Sequence, residues 1–242
     1  MTALNETGLN VPASSQPLMS RLLITGLFVA TALLAFFPIA ILGPAIGWPV
    51  SLRSPAAQQL AAIAAAPAAV AAGYGVYLLY SVLILPVMVL LAHRVGGHLM
   101  RPIAMMIIGF AALSVLARSI GILRWLTVMP GLAAQHGAAE PAHKQVIETV
   151  FSALTAYGGG VGELLGVSLF MGLSLGLAML AAWSAKTLPR WLCAFGLVSA
   201  LLLLGLFLPA IGFAVQVPIA LAGSVLSLWM LVAGVVMALR PR

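Results

Sequence analysis

The sequence predicts an all-α fold, a polytopic membrane bundle of six transmembrane helices with both termini in the cytoplasm, and three observations carry that prediction. The chain is 63% hydrophobic and only 6% charged. Its mean hydropathy is +1.18. Its apolar residues fall into long segments separated by glycine, proline and isolated bases. A soluble chain of 242 residues needs charge to cover its surface, whereas a chain dissolved in lipid needs apolar groups outside as well as inside.

Each element follows from that requirement. A helix rises about 1.5 Å per residue, so about 20 apolar residues cross about 30 Å of hydrocarbon. Residues 1–20 form a polar cytoplasmic tail without Lys or Arg, and the apolar run after Arg21 is too long for a signal-peptide core, so it reads as a retained helix. Residues 21–242 then make one transmembrane domain, with spans at 21–47, 70–92, 102–129, 149–185, 190–211 and 218–239. Gly43-Pro44 and Trp48-Pro49 close the first span, Pro102 opens the third, Pro130-Gly131 ends it, and Pro189 and Pro218 open the fifth and sixth. Pro38, Pro86 and Pro209 lie inside apolar runs, where lipid-embedded helices accept kinks that shape cavities.

Two connections exceed a turn. In "SLRSPAAQQLAAIAAAP", Ser54 is placed to cap, and Pro55 to begin, a short Ala-rich helix on the outer surface, while "PGLAAQHGAAEPAHKQ" reads as a loop. Arg21, Arg94, Arg101, Lys186, Arg190, Arg240 and Arg242 fall on one side of a six-span path and only Arg53 and Lys144 on the other, which assigns the richer side to the cytoplasm of a bacterial inner membrane. Trp183 and Trp191 at inner ends, and Trp48 and Trp125 at outer ends, read as interfacial aromatics. The net charge of +7 comes from bases scattered singly among apolar blocks. They form no nucleic-acid face, and their partners are membrane lipids. Cys193 is the only cysteine, which excludes an intrachain disulfide.

The polar exceptions point to a site. In the fourth span, "TAYGGGVGELLGVSL" spaces Gly158, Gly162 and Gly166 four apart, and Gly172 and Gly176 repeat the spacing. Such a groove lets a neighbouring backbone approach, in this chain or as a partner transmembrane helix. The same stretch carries Glu163, and an ionised carboxylate facing hydrocarbon costs roughly 2.5–3.5 kcal/mol, so it is expected to pair. The third span offers Arg118 and Arg124, about 25 and 34 Å above Arg101 on a straight helix, close to the height of Glu163 about 34 Å above Lys186. Tyr74, Tyr77 and Tyr80 of the second span lie about 28, 24 and 20 Å above His93 and bracket Arg118, and Tyr157 joins that layer. The cluster reads either as a structural ion pair satisfied by tyrosine hydroxyls or as the lining of an outward-opening pocket for a small amphipathic or anionic ligand.

Other chemistries lose their usual parts. The chain has no aspartate, no Gly-x-Ser-x-Gly, no His-Glu-x-x-His and no phosphate-binding loop. His136, Glu140 and His143 are metal-ligand types at spacings of four and three, but Gly137 and Pro141 argue for a solvated loop. His93 and His98 flank the inner turn rather than facing each other at mid-depth as haem ligands would, and Met100, Met105 and Met106 read as packing, so no cofactor is expected.

The phrases "AYGGGVGELLGVSLFMGLSLGLAML", "LPRWLCAFGLVSALLLLG" and "FAALSVLARSIGILRWLTVM" resemble the aromatic-glycine helix, the Leu-Pro-Arg turn and the arginine-bearing helix of a bacterial integral-membrane family carried under a domain-of-unknown-function label. The resemblance spans the second to fifth helices and implies six helices with no assigned activity. Together these features predict a protein whose outer-half cluster binds or transports a small amphipathic or anionic molecule. The alternative is a non-catalytic subunit or assembly factor of a larger membrane complex, docked through the glycine groove.

Overall fold

The computed structural model describes residues 18–95 and 101–239. The tail through Pro17, the inner turn with His98 and Met100, the terminal Arg240 and Arg242, and the side chain of Arg21 lie outside the described residues. Most of the rest is helical: α1 (Leu18–Leu34), α2 (Phe37–Ile46), α3 (Ala56–Ala65), α4 (Pro67–Val95), α5 (Arg101–Ala138), α6 (Pro141–Gly159), a π-helical segment (Gly160–Phe170), α7 (Met171–Ala185), α8 (Arg190–Gly205) and α9 (Ile219–Leu239), with short 3-10 turns at Val50–Arg53 and Leu208–Ile211. Five stretches, Leu22–Ile46, Pro67–Val95, Arg101–Ala138, Pro141–Ala185 and Ile219–Leu239, are long and apolar enough to cross a membrane, and α8 is a shorter apolar helix. The chain is an all-α polytopic membrane bundle.

The proline positions explain where helices break and where they do not. Pro38 has no N–H to give the carbonyl of Leu34, so α1 ends there and α2 begins afresh at Phe37. Pro86 and Pro130 are carried inside α4 and α5. The expected loop after the third span is instead helical on both sides. α5 continues through the helix-forming "LAAQ" to Ala138, and α6 restarts at once with Pro141 in its first turn, where a missing N–H costs nothing. His136 Nε2 and Glu148 Oε1, 2.8 Å apart, tie the two extensions together.

The short Ala-rich helix forms as α3, but Ser54 does not cap it with its side chain. Gln59 Nε2 donates to the Ser54 carbonyl at 2.7 Å instead. Leu60 and Ile63 are fully buried, so α3 packs into one end of the bundle with Trp125, Met129 and Phe151 rather than resting on its surface. This aromatic-rich core is separate from a larger core in the rest of the bundle. On α5, Ala111 belongs to the larger core and Ile122 to the aromatic-rich one, and Arg118 lies between them.

Small residues and hydroxyls hold helices that lipid does not press together. Ser114 Oγ donates to the Gly166 carbonyl at 2.7 Å, Ser168 Oγ to Leu203 at 2.6 Å and Ser174 Oγ to Ile107 at 2.7 Å. α1 lies against α9, where Thr25 Oγ1 donates to the Gly234 carbonyl at 3.3 Å and the Phe28 Cβ sits where a Gly234 side chain would be. Above the break, α2 leans the other way, onto α4. Leu42 fills the notch left by Gly73, a Cβ there falling 2.5 Å from it.

Candidate functional site: an arginine and aromatic cleft

The glycines of the fourth span seat this chain's own helices. Gly158 lies under the Arg124 guanidinium, Gly162 against Gly121, and Gly166 against the backbone N and Cγ of Arg118. The groove on which a partner transmembrane helix was expected is therefore filled by α5. Gly172 and Gly176 face α8, at Leu204 and Ala200. Within the π segment, Met171 N–H reaches back five residues to the Gly166 carbonyl, which also accepts from Ser114. A helix widened in this way is uncommon and frequently marks a functional stretch.

Arg118 is 3% exposed. Its Nε and Nη1 are buried without a hydrogen-bond partner, and its Cζ lies 4.9 Å from the Tyr80 ring centroid and 5.9 Å from that of Tyr77. Arg124 repeats the arrangement: Nε and Nη1 buried and unpartnered, Cζ 5.3 Å from the Trp125 ring centroid. Aromatic faces supply negative potential and offset part of the cost of burying each cation. They leave the directional Nε and Nη1 donors of each guanidinium unused.

Glu163 lies in the first turn of the π segment and is exposed. It shares a cleft with both arginines, yet among the described residues the only salt-bridge contact is His136 with Glu148. The expected direct pairing of Glu163 with Arg118 or Arg124 is therefore not formed. Ser119, which flanks Arg118, bonds its own helix at Val115. Tyr74 stacks on Trp125 with centroids 4.8 Å apart and planes 3° apart, and its buried hydroxyl is unpartnered. Tyr77 stacks on Tyr80 at 6.1 Å. Tyr157 is 73% exposed and stands outside this group, because its place on α6 turns it away from the face that Gly158 presents to α5.

Three clefts converge on Glu163. The first, with about 40 Å³ of space that a water can occupy, is lined by Tyr74, Tyr77, Arg118, Arg124, Trp125 and Glu163. The second, about 120 Å³, shares Trp48, Leu52, Tyr77, Arg118, Glu163 and Val167 with the first and continues along apolar residues of α2 and α9. The third, about 530 Å³, lies at Arg53, Glu163 and Gln216 by the connection before α9. The arrangement places Arg118 on the wall shared by the first and second clefts and Arg124 in the first.

The family described as "Domain of unknown function (DUF4386)" matches residues 23–234. The chain belongs to the DUF4386 family. No curated protein and no solved structure matches it. Membership accords with the multi-pass helical architecture and brings no activity with it.

Within this DUF4386 chain, sequence reasoning missed several lining residues. Trp125, read as an interfacial aromatic, is 4% exposed and forms the stacked wall beneath Arg124. Trp48 meets Tyr77 edge to face at 5.9 Å and lines two of the clefts. Position inside a helix adjacent to a buried charge was the available signal for Trp125. For Trp48 there was none, because its approach depends on how the α1–α2 break aims the chain.

Proposed function

We propose that this protein binds, and in one version moves, a small anionic amphiphile in the outer half of the bundle, from a bacterial cytoplasmic membrane in which it crosses six times with both termini inside. The carrying observation is Arg118: a cation 3% exposed, with Nε and Nη1 unpartnered, on the shared wall of a polar and an apolar cleft. A purely structural arginine at that depth is normally satisfied by hydrogen bonds, since leaving buried donors unmade is costly. An anionic headgroup would complete those donors, with Arg124 as the second cation and Tyr74, Tyr77 and Tyr80 orienting the ligand. Glu163 balances one arginine across the cleft. The alternative of a subunit docked through the glycine groove loses the surface assigned to it, because α5 fills that groove.

Calorimetric titration in a neutral detergent tests the reading with octyl phosphate, and with octanol as the uncharged control. Wild type should bind the phosphate selectively, and Arg118→Gln should weaken that binding about tenfold or more, as expected for one lost charged hydrogen bond. Equal binding of octanol, or an unaffected variant, would refute it.

A further inference from the structure

The second cleft has the form of a wedge cut into the lipid-facing side. Towards the N-terminal end of α1, that helix and α9 close on each other through Thr25, Phe28 and Gly234. Beyond Leu34 the break at Pro38 redirects the chain, and Leu42 locks α2 into the Gly73 notch of α4, away from α9. The space opened between them is bordered by Phe36 and Ile39 on one side and by Ile219, Ala220 and Gly223 on the other. Phe36 is 48% exposed, Ile39 46% and Ile219 38%, so the rim faces outward and is apolar. The inner end of the wedge is Arg118, with Tyr80 and Val167 beside it.

We infer that the ligand is a membrane lipid with a singly charged anionic headgroup, which reaches the arginines sideways from the bilayer through the α2–α9 wedge. This rests on the anion-binding reading above and specifies its ligand class and route. The apolar rim suits an acyl chain and would repel a fully hydrated solute. Charge selects the headgroup: Arg118 and Arg124 against Glu163 give +2 − 1 = +1, which one negative charge neutralises. A zwitterionic headgroup would leave that charge uncompensated in a site of low dielectric. Access from water alone would run through the mouth at Arg53 and Gln216, which an acyl chain has no need to use.

The test uses full-length protein in phosphatidylcholine nanodiscs doped with a phosphatidylglycerol whose acyl chain ends in a photoactivatable diazirine. Gly223 offers a graded block, since it lines the wedge and a Cβ there meets nothing within 4 Å. Wild type should give adducts concentrated on Phe36, Ile39, Ile219 and Leu226, falling slightly in Gly223→Ala and about tenfold in Gly223→Leu, in proportion to the volume filled. The same probe on phosphatidylcholine should label the wedge weakly. A thermal midpoint for Gly223→Leu close to that of wild type shows that the variant is folded, while octyl phosphate binding by wild type and by Arg118→Gln reports on the headgroup site itself. Adducts spread evenly over lipid-facing residues, equal labelling by phosphatidylcholine, or insensitivity to Gly223→Leu while octyl phosphate still binds in an Arg118-dependent way, overturn the lateral route and leave the anion site standing. Absence of Arg118-dependent octyl phosphate binding removes both.

Discussion

Gly121 and Gly158 face each other's helices, yet a methyl group added to each meets different obstacles. At Gly121 it would lie 2.8 Å from the Gly158 carbonyl oxygen and 2.8 Å from the Gly162 Cα, both backbone atoms that move only if whole helices separate. At Gly158 it would displace the flexible end of Arg124. Gly121→Ala is therefore expected to cost roughly 1–3 kcal/mol, read as a lowered thermal midpoint in detergent, whereas Gly158→Ala should stay within about 1 kcal/mol and alter anion binding instead. Equal destabilisation by the two would show that the α5 contact is not backbone to backbone. The arginines also explain why the acid and base did not meet. From sequence, hydrocarbon's hostility to charge made Arg118 and Glu163 conspicuous and implied a carboxylate partner. Tyr80 and Trp125 supplied ring faces instead, a solution that depends on rotamers and neighbouring helices and leaves no spacing pattern to read.

Among the elements, the 45-residue helix Pro141–Ala185 is the one whose interior the sequence did not disclose. Apolar length fixed its course through the membrane, and the four-residue glycine spacing foretold close packing. The π geometry was hidden because glycines four apart stay roughly on one face whether the turn is α or slightly wider, so the choice is made by contact with α5. Ser114 participates in that choice by taking up the Gly166 carbonyl. Ser114→Ala should cost about 0.6 kcal/mol, the ordinary size of an interhelical hydrogen bond in a membrane, and should speed amide exchange in 160–170 relative to 171–185. Hydrogen-exchange mass spectrometry with no change confined to that segment would mean that the π turn is held by other contacts. The hairpin of α5 and α6 departs from the expected loop for a related reason: Gly137 and Pro141 are loop signals locally, but Pro141 starts a helix and the His136–Glu148 contact holds the pair.

For the molecule as a whole, the long helices were legible because bilayer thickness sets a length that composition alone can meet. Sidedness rests on basic residues, seven against two. Cys193 is buried and the only cysteine, so removing it as Cys193→Ser leaves a background in which one introduced thiol reports its own location. In intact bacterial cells, Lys144→Cys should react with a membrane-impermeant maleimide and Lys186→Cys should not until the cells are opened. The reverse pattern would invert the topology. The wedge between α2 and α9 carries a consequence of its own. On the lateral route proposed above, a wedge closed at one end by the Thr25–Gly234 contact draws from one of the cell's two lipid sheets, so whatever asymmetry the cell maintains between them reaches the arginines directly.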